Sequence, residues 1–390
     1  MNLQKTIVFT TLFLDIVGIA IIIPAFPELK AYYSITDFQV TLGLTIYSLF
    51  AFLSAPLLGQ WSDKFGRKKP LVLCIIGTLF SYLILLVTQS YWIFLLSRLV
   101  NGITGGNISI LQAVLTDISP DKETKAKNFW LMGALFGMWF IVGPVVGSLL
   151  LKFGGIETIF WFGALFALIE VVLIVVHFSN TNEPNPAKIL SYNSFWVIRK
   201  YFKKPDMRNF LISLFLLGVG GFMINATQSL SMNATFGTSG EQYGYYLALV
   251  GIITALNLGF LVPKFWTKNF SNKQLIIMSH IVLIIGYVLV GYSTSLYGFL
   301  GLFYTTILLS GYYVTVYNVN IMSKALPNEI GELSGMLAGT QSLLMFVGPL
   351  IGGLILAIKY NIYYWAAICA VISFAVMMRY VTQKDNKNLL

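Results

Sequence analysis

Twelve apolar runs punctuate the chain, at about 6–26, 41–58, 70–88, 92–115, 129–151, 158–178, 209–231, 245–262, 275–293, 297–321, 333–357 and 365–382. Each is near the roughly 20 residues that a helix needs to cross hydrocarbon. The longest polar interval, residues 179–208, holds Pro184 and Pro186 and then Arg199, Lys200, Lys203, Lys204 and Arg208. This pattern predicts an all-α polytopic membrane protein with two six-helix bundles, 1–178 and 209–390, joined by a cytoplasmic linker over 179–208. Within the linker, Trp196 to Phe202 reads as an amphipathic helix on the inner leaflet.

Composition sharpens that picture. With 57% hydrophobic and 10% charged residues, the chain departs far from soluble globules, where about 25% is charged. The net charge of +10 would suit nucleic acid, but the placement of the cations decides otherwise. With the N-terminus inside, every Lys and Arg except Lys30, Lys152 and Lys359, and Arg98 and Arg379 within runs, falls in a cytoplasmic segment, as the positive-inside rule requires. The expectation is a multi-pass protein of a bacterial inner membrane, monomeric, with both termini cytoplasmic. Its expected partners are a small-molecule substrate, protons and the lipid bilayer, with no nucleic acid. The first run continues past Ile7 to Ile23 without a small-residue cleavage site and so reads as a span, not a signal peptide. Cys74 and Cys369 lie inside spans, and His177 and His280 have no metal-ligand spacing to them. Neither a metal, a cofactor nor an enzymatic centre is expected, for lack of paired catalytic acids or a nucleophile beside a base.

The two halves echo each other. Gly59, Lys64 and Phe65 recur as Gly259, Lys264 and Phe265, and Gly143-Pro144-Val-Val-Gly147 returns as Gly348-Pro349-Leu-Ile-Gly352, an offset of 205. Paired halves are how many secondary transporters are built. Small residues at these spacings, with Gly133 and Gly137 in the first half and Gly335 and Gly339 in the second, allow close helix approach. They serve either as hinges and contact surfaces between halves or as simple packing.

Polar residues inside the spans carry the candidate chemistry. Asp15 in the first span costs several kcal/mol in hydrocarbon unless it faces a partner or a wet cavity. In the fourth span Arg98, Asn101, Gly105, Ser109 and Gln112 recur every three or four residues, one polar helix face. Asp15 and Arg98 lie at similar depth, so they form either a proton-coupling pair or a permanent ion pair. Glu170 is a second intramembrane acid, either a proton site or a snorkelling or helix-bridging residue. The second half has no intramembrane acid, and offers Asn225, Gln228, Gln341 and the tenth-span set Thr306, Ser310, Tyr313, Tyr317 and Asn320. A hydroxyl and amide face backed by rings suits an amphiphilic organic solute. The candidate solute contacts are therefore Asn101, Ser109, Gln112, Asn225, Gln228, Tyr313, Tyr317 and Gln341, with interhelical hydrogen bonding as the alternative role for each. His280 reads as structural.

Between the second and third spans stand Gly59, Asp63, Lys64, Gly66, Arg67 and Lys68. This loop resembles the signature loop of the major facilitator superfamily. Leu14-Asp15 with Gly18, Arg98 to Gly106, Thr116-Asp117-Ile-Ser-Pro120, and Gly137 with Gly143, Pro144 and Gly147 resemble its drug:proton antiporter branch, most of all the tetracycline-efflux type. The resemblance implies proton coupling at Asp15 and Arg98, and a cytoplasmic latch at Asp63 with Gly59 and Arg67. It also implies an antiporter motif at Gly137, Gly143, Pro144 and Gly147, with Gly348 and Pro349 as its counterpart. Tetracycline exporters carry a further acid in the third span, where this chain has Ser81, and acidic or histidine groups in the eighth and ninth, where it has Asn257 and His280. A neutral second half implies a different solute, a different stoichiometry, or import of a nutrient, siderophore or metabolite in place of efflux. A non-transporting receptor is a further alternative.

Overall fold

A computed structural model of the chain describes residues 3–182, 202, 205–323 and 330–387. The part of the linker expected to lie on the inner leaflet is outside the described residues, apart from Phe202. All regular structure among the described residues is helical. In chain order it comprises α1 (Leu3–Ala20), α2 (Phe26–Tyr32), α3 (Asp37–Phe65), α4 (Lys68–Leu85), α5 (Tyr91–Thr104), α6 (Asn107–Asp117) and α7 (Lys122–His177). There follow α8 (Pro205–Phe236), α9 (Gly240–Leu256), α10 (Asn272–Tyr292), α11 (Leu296–Ser310), α12 (Tyr313–Met322), α13 (Ile330–Ala357) and α14 (Ile362–Lys387).

Among the described residues, ten helical stretches are long and apolar enough to cross a membrane. Two features reconcile that number with twelve runs. The fourth run is broken into α5 and α6 at Gly105-Gly106, so neither half reaches spanning length. The fifth and sixth runs are continuous in α7, which bends at Gly155, where φ is 68° and ψ is −162°; glycine adopts such backbone angles without the clash that a Cβ would bring. The tenth run is broken too, into α11 and α12 at Gly311-Tyr312, one residue beyond the offset of 205 from the break in the fourth.

Capping is ordinary side-chain chemistry. Thr36 with Gln39 and Ser271 with Gln274 form capping boxes at α3 and α10, and Asp121 accepts the Thr124 amide at 2.8 Å, each satisfying donors that a helix start leaves free. After α9 the chain continues as a π-helical stretch, Asn257–Trp266, around Pro263. Asn257 ties it down, donating to the Leu308 carbonyl at 2.7 Å and accepting from Trp266 Nε1 at 3.0 Å.

The described residues fall into two compact units, one drawn from Met1–Tyr192 with Ser229–Gly251, the other from Asn193–Gln228 with Ile252–Leu390. In the first unit a glycine replaces side-chain bulk where α7 meets α1. A Cβ at Gly143 would overlap Ala20, and one at Gly147 would lie 2.5 Å from the Ile21 carbonyl oxygen. The second unit repeats the contact between α13 and α8, where a Cβ at Gly348 would lie 2.6 Å from Phe222 and one at Gly352 2.8 Å from Thr227. The repeated Gly-Pro-x-x-Gly segment thus joins fifth span to first and eleventh to seventh, each inside its own unit. Lipid tails are as apolar as the helices, so contact of this closeness, more than expulsion of water, holds the pairs together.

Segment 229–251 belongs with the first unit through the start of α9. The Gly240 amide, at the start of α9, donates to Glu28 Oε1 at 2.8 Å, and Lys152 pairs with Glu241 at 3.4 Å. Burial pushes the Glu28 carboxyl above the ordinary glutamate range, and the Gly240 amide pulls against it.

Gly143→Leu is expected to wedge α7 off α1 and cost about 3 kcal/mol by overpacking, read as a lower unfolding temperature of the purified protein. Gly133→Leu, where nothing lies within 4 Å of an added Cβ, is expected to unfold as the parent does.

Candidate functional site

Asp15 is 7% exposed in the middle of α1, and Oδ2 accepts from Asn107 Nδ2 at 2.7 Å. The break at Gly105-Gly106 creates this contact. It makes Asn107 the first residue of α6, and Asn107 Oδ1 accepts the Ile108 amide at 2.9 Å. With its oxygen held by backbone, the amide must present its nitrogen to the carboxylate. The positive end of the α6 dipole lies on the same side.

Arg98 does not join Asp15. Among the described residues no ion pair links them; Arg98 Nη2 donates to Ser97 Oγ at 3.0 Å, and the guanidinium lies 5.9 Å from the ring centroids of both Tyr82 and Phe94. Its Nε is buried with no hydrogen-bond partner. Tyr82 neighbours both charged residues. Its ring occupies the notch left by Gly163, its hydroxyl donates to the Gly18 carbonyl at 2.7 Å, and it lies within Coulombic reach of Asp15, Arg98 and Glu170. Ser81, in the place of an expected third-span acid, donates to the Thr78 carbonyl, and its own carbonyl accepts from Ser97 at 2.6 Å.

At the loop after α3, Arg67 is the organising group. Its guanidinium engages Asp117 through Nε at 2.8 Å and Nη2 at 3.3 Å, and bonds Asp63 and Ser62 through Nη1. Burial opposes the charge, but the Asp117 and Asp63 carboxylates outweigh it and hold Arg67 above the ordinary arginine range. The polar segment after α7 closes over this loop, with Asn182 accepting the Arg67 amide at 3.2 Å and Asn180 the Lys68 amide at 2.9 Å. Gly59 faces Ser109, at ordinary contact distance for an added Cβ.

The polar faces expected to meet solute divide into two groups. Ser109 is spent on helix packing, donating to the Ala55 carbonyl at 2.8 Å, and Asn101 accepts from Thr78 at 3.4 Å. Tyr317, expected on the solute face, is fully buried, its hydroxyl 2.6 Å from Ser213 Oγ. That serine and Ser373 complete a network with His280, whose Nδ1 lies 2.7 Å from the Ile276 carbonyl and whose Nε2 lies 2.9 Å from Ser373 Oγ. A carbonyl only accepts, so Nδ1 carries a proton, while Nε2 faces the Ser213 and Ser373 hydroxyls, and His280 is part of a structural network. Thr306, Ser310 and Asn320 turn back to their own helix carbonyls. Gln112, Asn225 and Tyr313 are half-buried and Gln341 is exposed, while Gln228 is buried. Asn107 is the residue that sequence reasoning passed over, although its place just past paired glycines marked it as the start of a half-helix.

A multi-pass helical bundle with an acid buried beside a helix break has the form of a membrane transporter. The Major Facilitator Superfamily profile matches residues 8–349, and the chain belongs to that family. The class C tetracycline resistance protein of Escherichia coli is 30% identical over 358 residues, covering 90% of this chain and 89% of that protein. Multidrug resistance protein 1 of Bacillus subtilis is 25% identical over 389 residues, covering 96% and 95%. Among solved structures the nucleoside transporter NupG superposes with a TM-score of 0.76 at 15% identity, covering 98% and 99%, a likeness of fold.

Arg67→Lys keeps the charge and loses the forked contact to Asp117. It is expected to cost about 2 kcal/mol, measured as unfolding temperature, with Asp117→Asn giving a similar loss and the double variant less than the sum.

Proposed function

We propose that this protein is a proton-coupled exporter of amphiphilic organic solutes, working by alternating access, with Asp15 as its proton carrier. The observation that carries the reading is the buried Asp15 carboxylate, held by one side-chain amide and, among the described residues, paired with no cation. A carboxyl in so apolar a setting exchanges a proton when its surroundings become wet or dry, which is the requirement of a coupling group. Relatives that are tetracycline and multidrug resistance proteins support export over import.

Within this reading Arg98 tunes the site through Tyr82 and is not a direct partner of Asp15. Asn101, Gln112, Asn225, Gln228, Tyr313 and Gln341 are the proposed solute contacts. Asp63, with Gly59 and Arg67, is the proposed cytoplasmic latch, and Gly137, Gly143, Pro144 and Gly147 with Gly348 and Pro349 are the proposed pivots. The proposed organisation is a first bundle over 1–178, a linker over 179–208 and a second bundle over 209–390. The protein is placed as a monomer in a bacterial inner membrane. Both termini are assigned to the cytoplasm by the placement of the cations, and Gln4 bonding the His177 carbonyl sets the start of α1 at the edge of the cation-rich linker.

Asp15→Asn is expected to reduce pH-gradient-driven ethidium and tetracycline movement in proteoliposomes to that of empty liposomes, with helix content unchanged. Pumping of either compound at the parental rate would remove Asp15 from the mechanism.

A further inference from the structure

Glu170 is 2% exposed and stands on the inward face of the sixth span. Ala164, Ala167 and Ile174 are buried beside it on that face, while Leu165, Leu168 and Val172 on the other are exposed. It does not snorkel toward the membrane surface. No hydrogen bond reaches its carboxyl among the described residues, and Ala167 and Ile174 belong to the apolar cluster that also holds Val8, Leu12 and Cys74. An unpartnered carboxylate in such a cluster is among the most costly groups a membrane protein can hold, and such residues mark ion pathways.

Its depth is fixed by the chain. Gln4 on α1 and His177 at the end of α7 are level, because the Gln4 amide donates to the His177 carbonyl and its oxygen accepts the Ser179 amide. From those points Thr11 and Glu170 are each seven residues inward, about 10 Å at the rise of a helix. Asp15 lies one turn beyond Thr11, about 6 Å deeper. Thr11 is fully buried and its hydroxyl has no partner. Asp15 and Glu170 are within Coulombic reach of each other. The other ionisable groups around them are Tyr82 and Cys74 from α4, Tyr47 from α3, and Arg98 from α5, which reaches Tyr82 but not the acids.

We propose that Asp15 and Glu170 form one two-acid proton site, in which a proton accepted at Asp15 passes to Glu170 on its way to the cytoplasm. The inference rests on the reading of Asp15 as the proton carrier. Two carboxylates within Coulombic reach of each other in an apolar interior do not both ionise readily, so one proton is retained by the pair. When Asp15 gives up its proton the Glu170 carboxylate takes it, and the charge moves the opposite way to Asp15. Glu170, one turn nearer the linker end, then releases the proton to cytoplasmic water. The retained proton also explains how α1 and α7 hold two acids with no cation paired to them among the described residues.

Infrared pH titration of the purified protein, following the carbonyl stretch of protonated carboxyls, tests this without a solute. The parent should show two coupled midpoints. Asp15→Asn and Glu170→Gln should each retain a single band, whose midpoint differs from that in the parent by about one pH unit or more. Glu170→Asp, a check against misfolding in the Gln variant, should retain both bands and their coupling. Midpoints that do not move when the other acid is removed, or a carboxyl band insensitive to Glu170→Gln, would overturn the proposal. Outcomes for the two readings are separable: ethidium or tetracycline export with uncoupled carboxyls would keep the exporter and discard the pair. Coupled carboxyls without transport would do the reverse.

Discussion

One hydrogen bond organises the first unit, from the Asn107 side chain to the Asp15 carboxylate. It exists because α5 stops at Thr104 and α6 begins at Asn107. A continuous helix would have kept Asn107 inside a turn and left its oxygen without the Ile108 amide. The break requires close packing to hold it in place. At Gly106 an added Cβ would lie 2.8 Å from Ala55 Cα, and at Gly102 it would lie 2.6 Å from the Tyr47 carbonyl oxygen, so the half-helices are clamped against α3. Membrane helices tolerate irregular backbone only where protein or a cavity surrounds it, and here the irregularity presents a donor to a buried acid.

The second unit shows what happens to the same scaffold when the acid is absent. The break at Gly311-Tyr312 makes Tyr313 the first residue of α12, as Asn107 is of α6. Its hydroxyl lies 3.6 Å from where a Cβ on Gly221 would stand, and Gly221 occupies the place of Asp15. An aromatic ring thus approaches a glycine where the first unit sets an amide against a carboxylate. The reverse exchange occurs deeper in the core. Cys74 lies in the apolar cluster of the first unit, and its counterpart His280 lies in the Ser213, Tyr317 and Ser373 network of the second. Duplicated halves have divided the work, one keeping the buried acids and the other a core of hydroxyls and an imidazole.

Spans, loop and duplication were legible because they are properties of runs: apolar length, charge asymmetry and spaced glycines survive without knowledge of packing. The partner of Asp15 was not. Depth arithmetic brought Arg98 close to Asp15 but could not give its direction about the helix axis, which is toward Tyr82 and Phe94. The stripe from Arg98 to Gln112 assumed one uninterrupted helix, and the break at Gly105-Gly106 resets the faces beyond it. The tenth-span hydroxyls illustrate a second limit. Thr306 and Ser310 bond carbonyls of their own helix, a local choice open to any Ser or Thr in a helix, so a polar stripe need not be a binding face. From the sequence Glu170 stood as either a proton site or a snorkelling or helix-bridging residue, and only the positions of its neighbours turn it inward.

Reaction with a hydrophobic carbodiimide tests the central claim most directly, because the reagent attacks protonated carboxyls in apolar surroundings. If Asp15 carries the proton, the peptide containing it is modified, and the modification declines as pH is raised and the carboxyl ionises. An Asp15 that stays unmodified throughout, or reacts to the same extent at every pH, would contradict the account.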